Sequence, residues 1–246
     1  MKAKLFFLLL NLTLPNIICA QIFSEVSSEK GLNYLYPGND FQMAGGGVMV
    51  IDYNNDGWED FFQSGGLFDS KLWKNNHGTF EDVTDEVGLD ALNGYFIQGA
   101  VSADYDNDGY EDFVIANYGV GMSRGDKKSP VLLHNIKGDY FEVIPLAYAV
   151  GKGNYASACW GDINKDGFVD LYFANYVRTM SGILDSSGVT IGYNPTCYEN
   201  KLLINIQGKS FVEQSENYGL NNGGCGLSAS FTDLDQDGDF RPITFK

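Results

Sequence analysis

Residues 104–112, DYDNDGYED, place four aspartates, Asp104, Asp106, Asp108 and Asp112, and one glycine within nine positions. Carboxylates that converge on one point repel each other, so such a stretch either splays into water or is held together by a cation. The wording recurs as DYNNDGWED from Asp52, DINKDGFVD from Asp162 and DLDQDGDFR from Asp233, each with glycine in sixth place. The first aspartates stand 52, 58 and 71 residues apart, the scale of a supersecondary repeat.

In a tight loop, positions 1, 3, 5 and 9 bring side-chain oxygens to one side, the carbonyl at position 7 adds another, and glycine at 6 permits the sharp turn. That many hard oxygen donors suit Ca²⁺ better than Mg²⁺ or Zn²⁺. The expected ligands are Asp52, Asn54, Asp56 and Asp60 with the Trp58 carbonyl in loop one. Loop two offers Asp104, Asp106, Asp108 and Asp112 with the Tyr110 carbonyl, and loop three Asp162, Asn164, Asp166 and Asp170 with the Phe168 carbonyl. An EF-hand would need glutamate at position 12, where the chain has Gln63, Ile115 and Phe173. The fourth loop keeps Asp233, Asp235 and Asp237 but has Arg241 at position 9, a cation in place of a carboxylate. Affinity follows ligand charge, which ranks loop two tightest and loop four weakest.

These loops need elements to hold them. Before each runs a strand-like segment, GGGVMVID, QGAVSAD, SACWGD or GLSASFTD, and after the first three comes another, DFFQSGG, DFVIANYG or DLYFANYV. The loop is therefore a tight strand-to-strand connection built on Asn, Asp and Gly. A second pair follows in residues 72–89, 132–151 and 202–220, which share an L-x-x-N start, a glycine turn and an F-x-x-V or F-V-E close. Each repeat thus reads as four short strands in two hairpins. Helical periodicity is nowhere sustained. The expected fold is all-β, a β-propeller of four-stranded blades with calcium-binding loops. After loop four no further strand or hairpin is expected, and IFSEVSSEKGL (22–32) matches the closing half of a repeat without its opening half. Three full blades plus two half blades make either a small four-bladed ring or, the preferred reading, part of a larger propeller.

The loops and their flanking strands resemble the FG-GAP or VCBS repeats of integrin-α-like propellers. The connectors are similar to those of the secreted branch related to cartilage acidic protein, often joined to an ASPIC/UnbV module, although no ASPIC/UnbV segment is evident. The resemblance covers about residues 22–240. It implies a calcium-binding propeller used for adhesion or ligand binding.

Composition agrees with a folded chain: 246 residues, 44% hydrophobic, with 15 Tyr and 17 Phe. With 32 acidic against 16 basic residues, a nucleic-acid partner is excluded, because phosphate binding needs clustered Lys and Arg. Residues 1–20 read as a signal peptide: Lys2 and Lys4, an apolar run from Leu5, and small residues before Gln21. The apolar run is short for a membrane span and is interrupted by Asn11 and Pro15. Export, to the periplasm, cell surface or extracellular space, then leaves residues 21–246 as the propeller, where free calcium fills even weak sites. Of the cysteines kept, Cys159, Cys197 and Cys225, a Cys197–Cys225 bridge and buried free thiols are both open.

Catalysis finds little support. His77 and His134 lie near the L-x-x-N turns, where a surface role is the default, and no G-x-S-x-G, H-E-x-x-H or P-loop appears. The expected function is a secreted binding module for an extracellular protein or glycan; the alternative is the propeller scaffold of a polysaccharide-degrading enzyme such as a lyase. Tyr95, Tyr118, Tyr155, Tyr176 and Tyr193 lie near blade connections and are mostly assigned to packing. The longest insertion, an irregular stretch from Arg178 to Asn200, is the best candidate for ligand specificity.

Overall fold

The computed structural model describes residues 24–34, 46–119, 129–221, 223–236 and 241–245. The signal-peptide expectation for residues 1–20 and the ligand expectation at Asp237 lie outside them. Among the described residues no helix is long and apolar enough to cross a membrane.

The chain forms successive antiparallel sheets. Unit one is β1 (Gly47–Ile51), β2 (Asp60–Ser64), β3 (Lys71–Asn76) and β4 (Thr79–Asp82), paired in that order. Unit two repeats it with β5 (Ile97–Ala103), β6 (Asp112–Asn117), β7 (Val131–Ile136) and β8 (Tyr140–Pro145). Unit three has β9 (Tyr155–Gly161) and β10 (Asp170–Asn175), then a two-stranded ribbon of β11 (Val177–Leu184) and β12 (Thr190–Cys197), and closes with β13 (Lys201–Asn205) and β14 (Phe211–Glu213). Last come β15 (Ser228–Thr232) and β16 (Arg241–Phe245), which pair with each other.

Two expectations are corrected here. A strand does follow loop four: β16 pairs with β15 from Thr232↔Arg241 to Ser228↔Phe245. Pro242 lacks an N–H but still offers its carbonyl, and a proline is tolerated on a strand that has a neighbour on one side only. Nor is the Arg178–Asn200 insertion irregular, since β11 and β12 pair along nearly their whole length with register shifts at both ends.

Alternation along the central strands explains how the sheets stack. On β6, Phe113 and Ile115 pack with Met49, Ile51, Phe62 and Leu72 of unit one. Val114 and Ala116, pointing the other way, pack with Tyr155, Leu171, Phe173 and Leu203 of unit three. The same switch occurs on β10, where Tyr172 turns to Ala229 and Phe231 beside β15. A strand buried on both faces has no polar side to show, which is why DFVIAN and DLYFAN are nearly continuous apolar runs. On β1, by contrast, Val48 and Val50 are 67% and 58% exposed while Met49 and Ile51 are buried, so the outer face of unit one is open.

The second hairpin of each unit turns at a pair of left-handed residues, His77–Gly78, Lys137–Gly138 and Gln207–Gly208, the backbone that a tight two-residue hairpin needs. Glycine also answers a close approach. A Cβ on Gly138 would lie 2.9 Å from the Asn54 Cα, and one on Gly208 2.7 Å from the Asp106 Cα, so each turn rests on the acidic loop of the preceding unit. The asparagine of the L-x-x-N motif ties these parts. Asn135 Nδ2 donates to the Glu111 carbonyl within its own unit at 2.9 Å and to the Tyr53 carbonyl of unit one at 2.7 Å, while its Oδ1 accepts from the Gly138 amide. Asn205 does the same with Val169, with Tyr105 of unit two and with Gly208.

Closing segments repeat as well. The Leu89 amide donates to the Thr84 carbonyl and the Leu220 amide to the Ser215 carbonyl, and in the N-terminal segment the Leu32 amide donates to the Ser27 carbonyl at 2.9 Å. A Cβ on Gly31 would meet the Phe80 carbonyl oxygen at 2.3 Å, which seats this segment on unit one. Cys197 is bonded to Cys225, tying the end of the ribbon to the approach to β15, and Cys159 is a buried thiol. Burial pushes its pKa up to about 12, so it stays unreactive.

Asn135→Ala should cost about 2–3 kcal/mol in denaturant unfolding, the scale of leaving buried polar groups unpaired. Asn75→Ala should cost clearly less, because the Asn75 side chain bonds Glu59 and Gly78 within its own unit. Equal losses would show that the bond to unit one adds nothing.

Candidate metal centre

Within each acidic loop the side chains curl around their own backbone. In loop two, Asp104 accepts from the Asp108 amide at 3.0 Å and the Gly109 amide at 2.9 Å, Asp106 Oδ1 from the Asp108 amide, and Asp108 Oδ1 from the Tyr110 amide. Loop one repeats this with Asp52, Asn54 and Asp56, and loop three with Asp162, Asn164 and Asp166. Positions 1, 3 and 5 therefore face the same backbone amides in all three loops. In loops one and three the position-3 asparagine also donates to the position-5 carboxylate, at 3.0 and 2.9 Å, a neutralising contact that Asp106 cannot make. The expectations at Trp58, Tyr110 and Phe168 concern their carbonyls; their amides are held by Asp56, Asp108 and Asp166.

Position 9 differs from the rest. Asp60, Asp112 and Asp170 open the second strand of each unit and are fully buried. One carboxylate oxygen accepts from the position-2 amide of the loop (Tyr53, Tyr105 or Ile163) at 2.9–3.3 Å. The other accepts from the amide of the L-x-x-N asparagine (Asn75, Asn135 or Asn205) at 2.6–2.8 Å. Burial raises the Asp60 and Asp170 pKa values to about 6 and that of Asp112 to about 8. The two amide bonds pull them down, and the neighbouring loop aspartates push them up again. Burial costs these carboxylates more than the amides return, and a cation beside them would supply the missing charge.

Loop two concentrates the donors. Oxygens of Asp104, Asp106 and Asp112 lie within 4.8 Å of one another, as do donor atoms of Asp106, Asp108 and His134; among the described residues no other trio of acidic, histidine or cysteine side chains comes so close. His134 was given only a default surface role by the sequence. Its Nε2 lies 3.2 Å from Asp106 Oδ2 and its ring stands edge-on to Tyr105. The signal was its place directly before the asparagine of L-x-x-N.

The loops also touch. Position 4 is left-handed in each, at Asn55, Asn107, Lys165 and Gln236. From that position Asn55 Nδ2 donates to the Gly109 carbonyl at 2.7 Å and Asn107 Nδ2 to the Gly167 carbonyl at 3.1 Å, joining loop one to two and two to three. In loop four, Asp233 and Asp235 are described, and Arg241 opens β16 where the other units carry the buried aspartate.

Three comparisons bear on this geometry. No curated protein matches the chain. Among solved structures it is similar to an exotype rhamnogalacturonan lyase, YesX, at 14% identity and a TM-score of 0.41, covering 82% of this chain and 38% of that one. The chain thus spans well under half the length of that lyase. Residues 52–115 and 104–173, from the first acidic loop into β10, match the family model described as the FG-GAP-like repeat.

Proposed function

We propose that the chain is a calcium-binding β-propeller module of an exported protein, and that its loops hold Ca²⁺ through the aspartates and asparagines at positions 1, 3, 5 and 9. The observation that carries this reading is Asp112: a fully buried carboxylate beside Asp104 and Asp106, with both oxygens already committed to amides and its proton affinity raised. Hard oxygen donors, no thiolate and a glycine-permitted turn fit Ca²⁺. The ion would neutralise the cluster and lock the link between the first and second strands. The Cys197–Cys225 bridge suits an oxidising compartment.

The ligand surface we assign to the β11–β12 ribbon. It projects between β10 and β13, and Met180, Leu184, Ile191 and Tyr193 are all more than half exposed on it. Apolar surface left open beside a rigid scaffold suits recognition of an extracellular protein or glycan. Of the tyrosines near the unit connections, Tyr155 is fully buried with its hydroxyl on the Val150 carbonyl, Tyr118 lies edge-on to Phe96 and tilted against Tyr176, and Tyr193 stands open.

Thermal unfolding tests the calcium reading. Each independent site should add about 2.7 kcal/mol at a calcium concentration 100 times its dissociation constant. Coincident melting curves in millimolar Ca²⁺ and in excess EDTA would overturn it.

A pH series gives a second check. Asp60, Asp112 and Asp170 bind protons more readily folded than unfolded, where a carboxyl sits near 3.9. Their contribution to stability is complete below that value and is lost as pH rises through about 6 for Asp60 and Asp170 and about 8 for Asp112. The metal-free protein should therefore melt lower at pH 8.5 than at pH 5.5, and saturating Ca²⁺ should flatten or reverse that order. An unchanged pH slope with calcium would detach these carboxylates from the site.

The contacts between loops predict coupled binding. Asn107→Gly keeps the left-handed backbone but removes the bond to the Gly167 carbonyl. Calorimetric titration should show cooperative filling of loops two and three in the natural protein, weakened in the variant by about 1 kcal/mol of coupling. Superimposable isotherms would show that the loops fill independently.

A further inference from the structure

The three complete loops are not chemically equal. We propose that loop two is a mixed nitrogen and oxygen site, with His134 as a ligand, and that it selects a borderline first-row metal, Zn²⁺ foremost, over the Ca²⁺ that it holds when no such metal is present. The inference rests on the reading of the loops as cation sites and adds which ion the second one prefers.

Geometry comes first. His134 Nε2 and Asp106 Oδ2 are 3.2 Å apart, and Asp108 completes a trio whose donor atoms lie within 4.8 Å. Two ligands at about 2.0–2.2 Å from one ion and set 90–110° apart lie roughly 3.0–3.5 Å from each other. The pair thus already has the separation that shared coordination requires.

The imidazole is also aimed. Its Nε2 faces the aspartates while Nδ1 points toward Glu142, 4.0 Å away. At that distance the carboxylate adds negative charge behind the ring rather than a hydrogen bond; closed to bonding distance it would be the usual outer partner of a metal-bound histidine. Tyr105, edge-on at 5.6 Å, limits rotation of the ring. The side chain keeps about a fifth of its surface open, which leaves the site reachable from solvent.

The position is particular to this unit. The residue before the L-x-x-N asparagine is Lys74 in unit one and Ile204 in unit three. An ammonium repels a cation and a sec-butyl side chain offers no lone pair. Only loop two gains a nitrogen donor, and imidazole favours Zn²⁺ and its neighbours whereas carboxylate and carbonyl oxygen alone favour Ca²⁺.

The test uses the whole chain and its His134→Gln variant, in which glutamine can still bond Asp106 but supplies no imidazole. Zn²⁺ is titrated calorimetrically in millimolar Ca²⁺, and the imidazole nitrogens are followed by ¹⁵N NMR. One Zn²⁺ should bind the natural protein, at least about tenfold more weakly in the variant, on the scale at which even outer partners of metal ligands matter. The Nε2 resonance should move to a metal-bound position, while Ca²⁺ binding at loops one and three stays the same in both proteins, which also shows that the variant is folded. Equal Zn²⁺ affinity, or an Nε2 that keeps its proton through the titration, would overturn the assignment. Zn²⁺ binding that needs His134 without Ca²⁺ binding anywhere would leave this site standing and remove the calcium reading; Ca²⁺ in three loops with Zn²⁺ indifferent to His134 would do the reverse.

Discussion

Everything in this architecture hangs on a carboxylate that ought not to be buried. Asp60, Asp112 and Asp170 each sit at the start of a central strand, out of water, and each accepts one amide from the loop before it and one from the third strand beside it. An isolated carboxylate in such surroundings costs several kcal/mol, so those amides are a condition of folding. Because one oxygen serves the first hairpin and the other the second, the aspartate makes the two hairpins one sheet edge. The acidic loop is then a rigid appendage of the sheet.

The asparagine of each second hairpin extends this from a unit to a stack. It caps its own turn, binds its own loop and reaches the loop of the unit before it. Apolar packing alone would let two sheet faces slide, since dispersion is non-directional. Directed bonds from Asn135 and Asn205, with glycines that admit the neighbouring loop to 2.7–2.9 Å, fix the offset between sheets. Loops so aligned are bonded one to the next through Asn55 and Asn107.

Much of this was legible in the residues. The loops, the strands around them and the paired connectors emerge from recurrence, because Asp, Asn and Gly at fixed offsets leave few other structures open. The closing segment at Ser27 was legible for the same reason. What was hidden is instructive. The burial of the ninth aspartate was hidden, since nothing in DYDNDGYED says that it alone faces inward. His134 was passed over because a lone histidine carries no spacing. The ribbon was missed because Gly182, Gly192, Asn194 and Pro195 are poor strand formers, and only pairing between β11 and β12 overrides them. The strand at Arg241 was not expected; its proline removes a donor but leaves room for an acceptor.

The bonds made by the second-hairpin asparagines all reach back along the chain, to the loop of the unit before. The Tyr53 carbonyl waits for Asn135, 82 residues further on, and the Tyr105 carbonyl for Asn205, 100 residues further on. During synthesis, then, a unit emerges from the ribosome with its loop still bonded to water and is finished only when its successor appears. The newest unit is thus always waiting on the next, while the outer face of unit one stays open behind it. The asparagine steps join neighbours only, as in stacked repeats, and need no search beyond the next sheet.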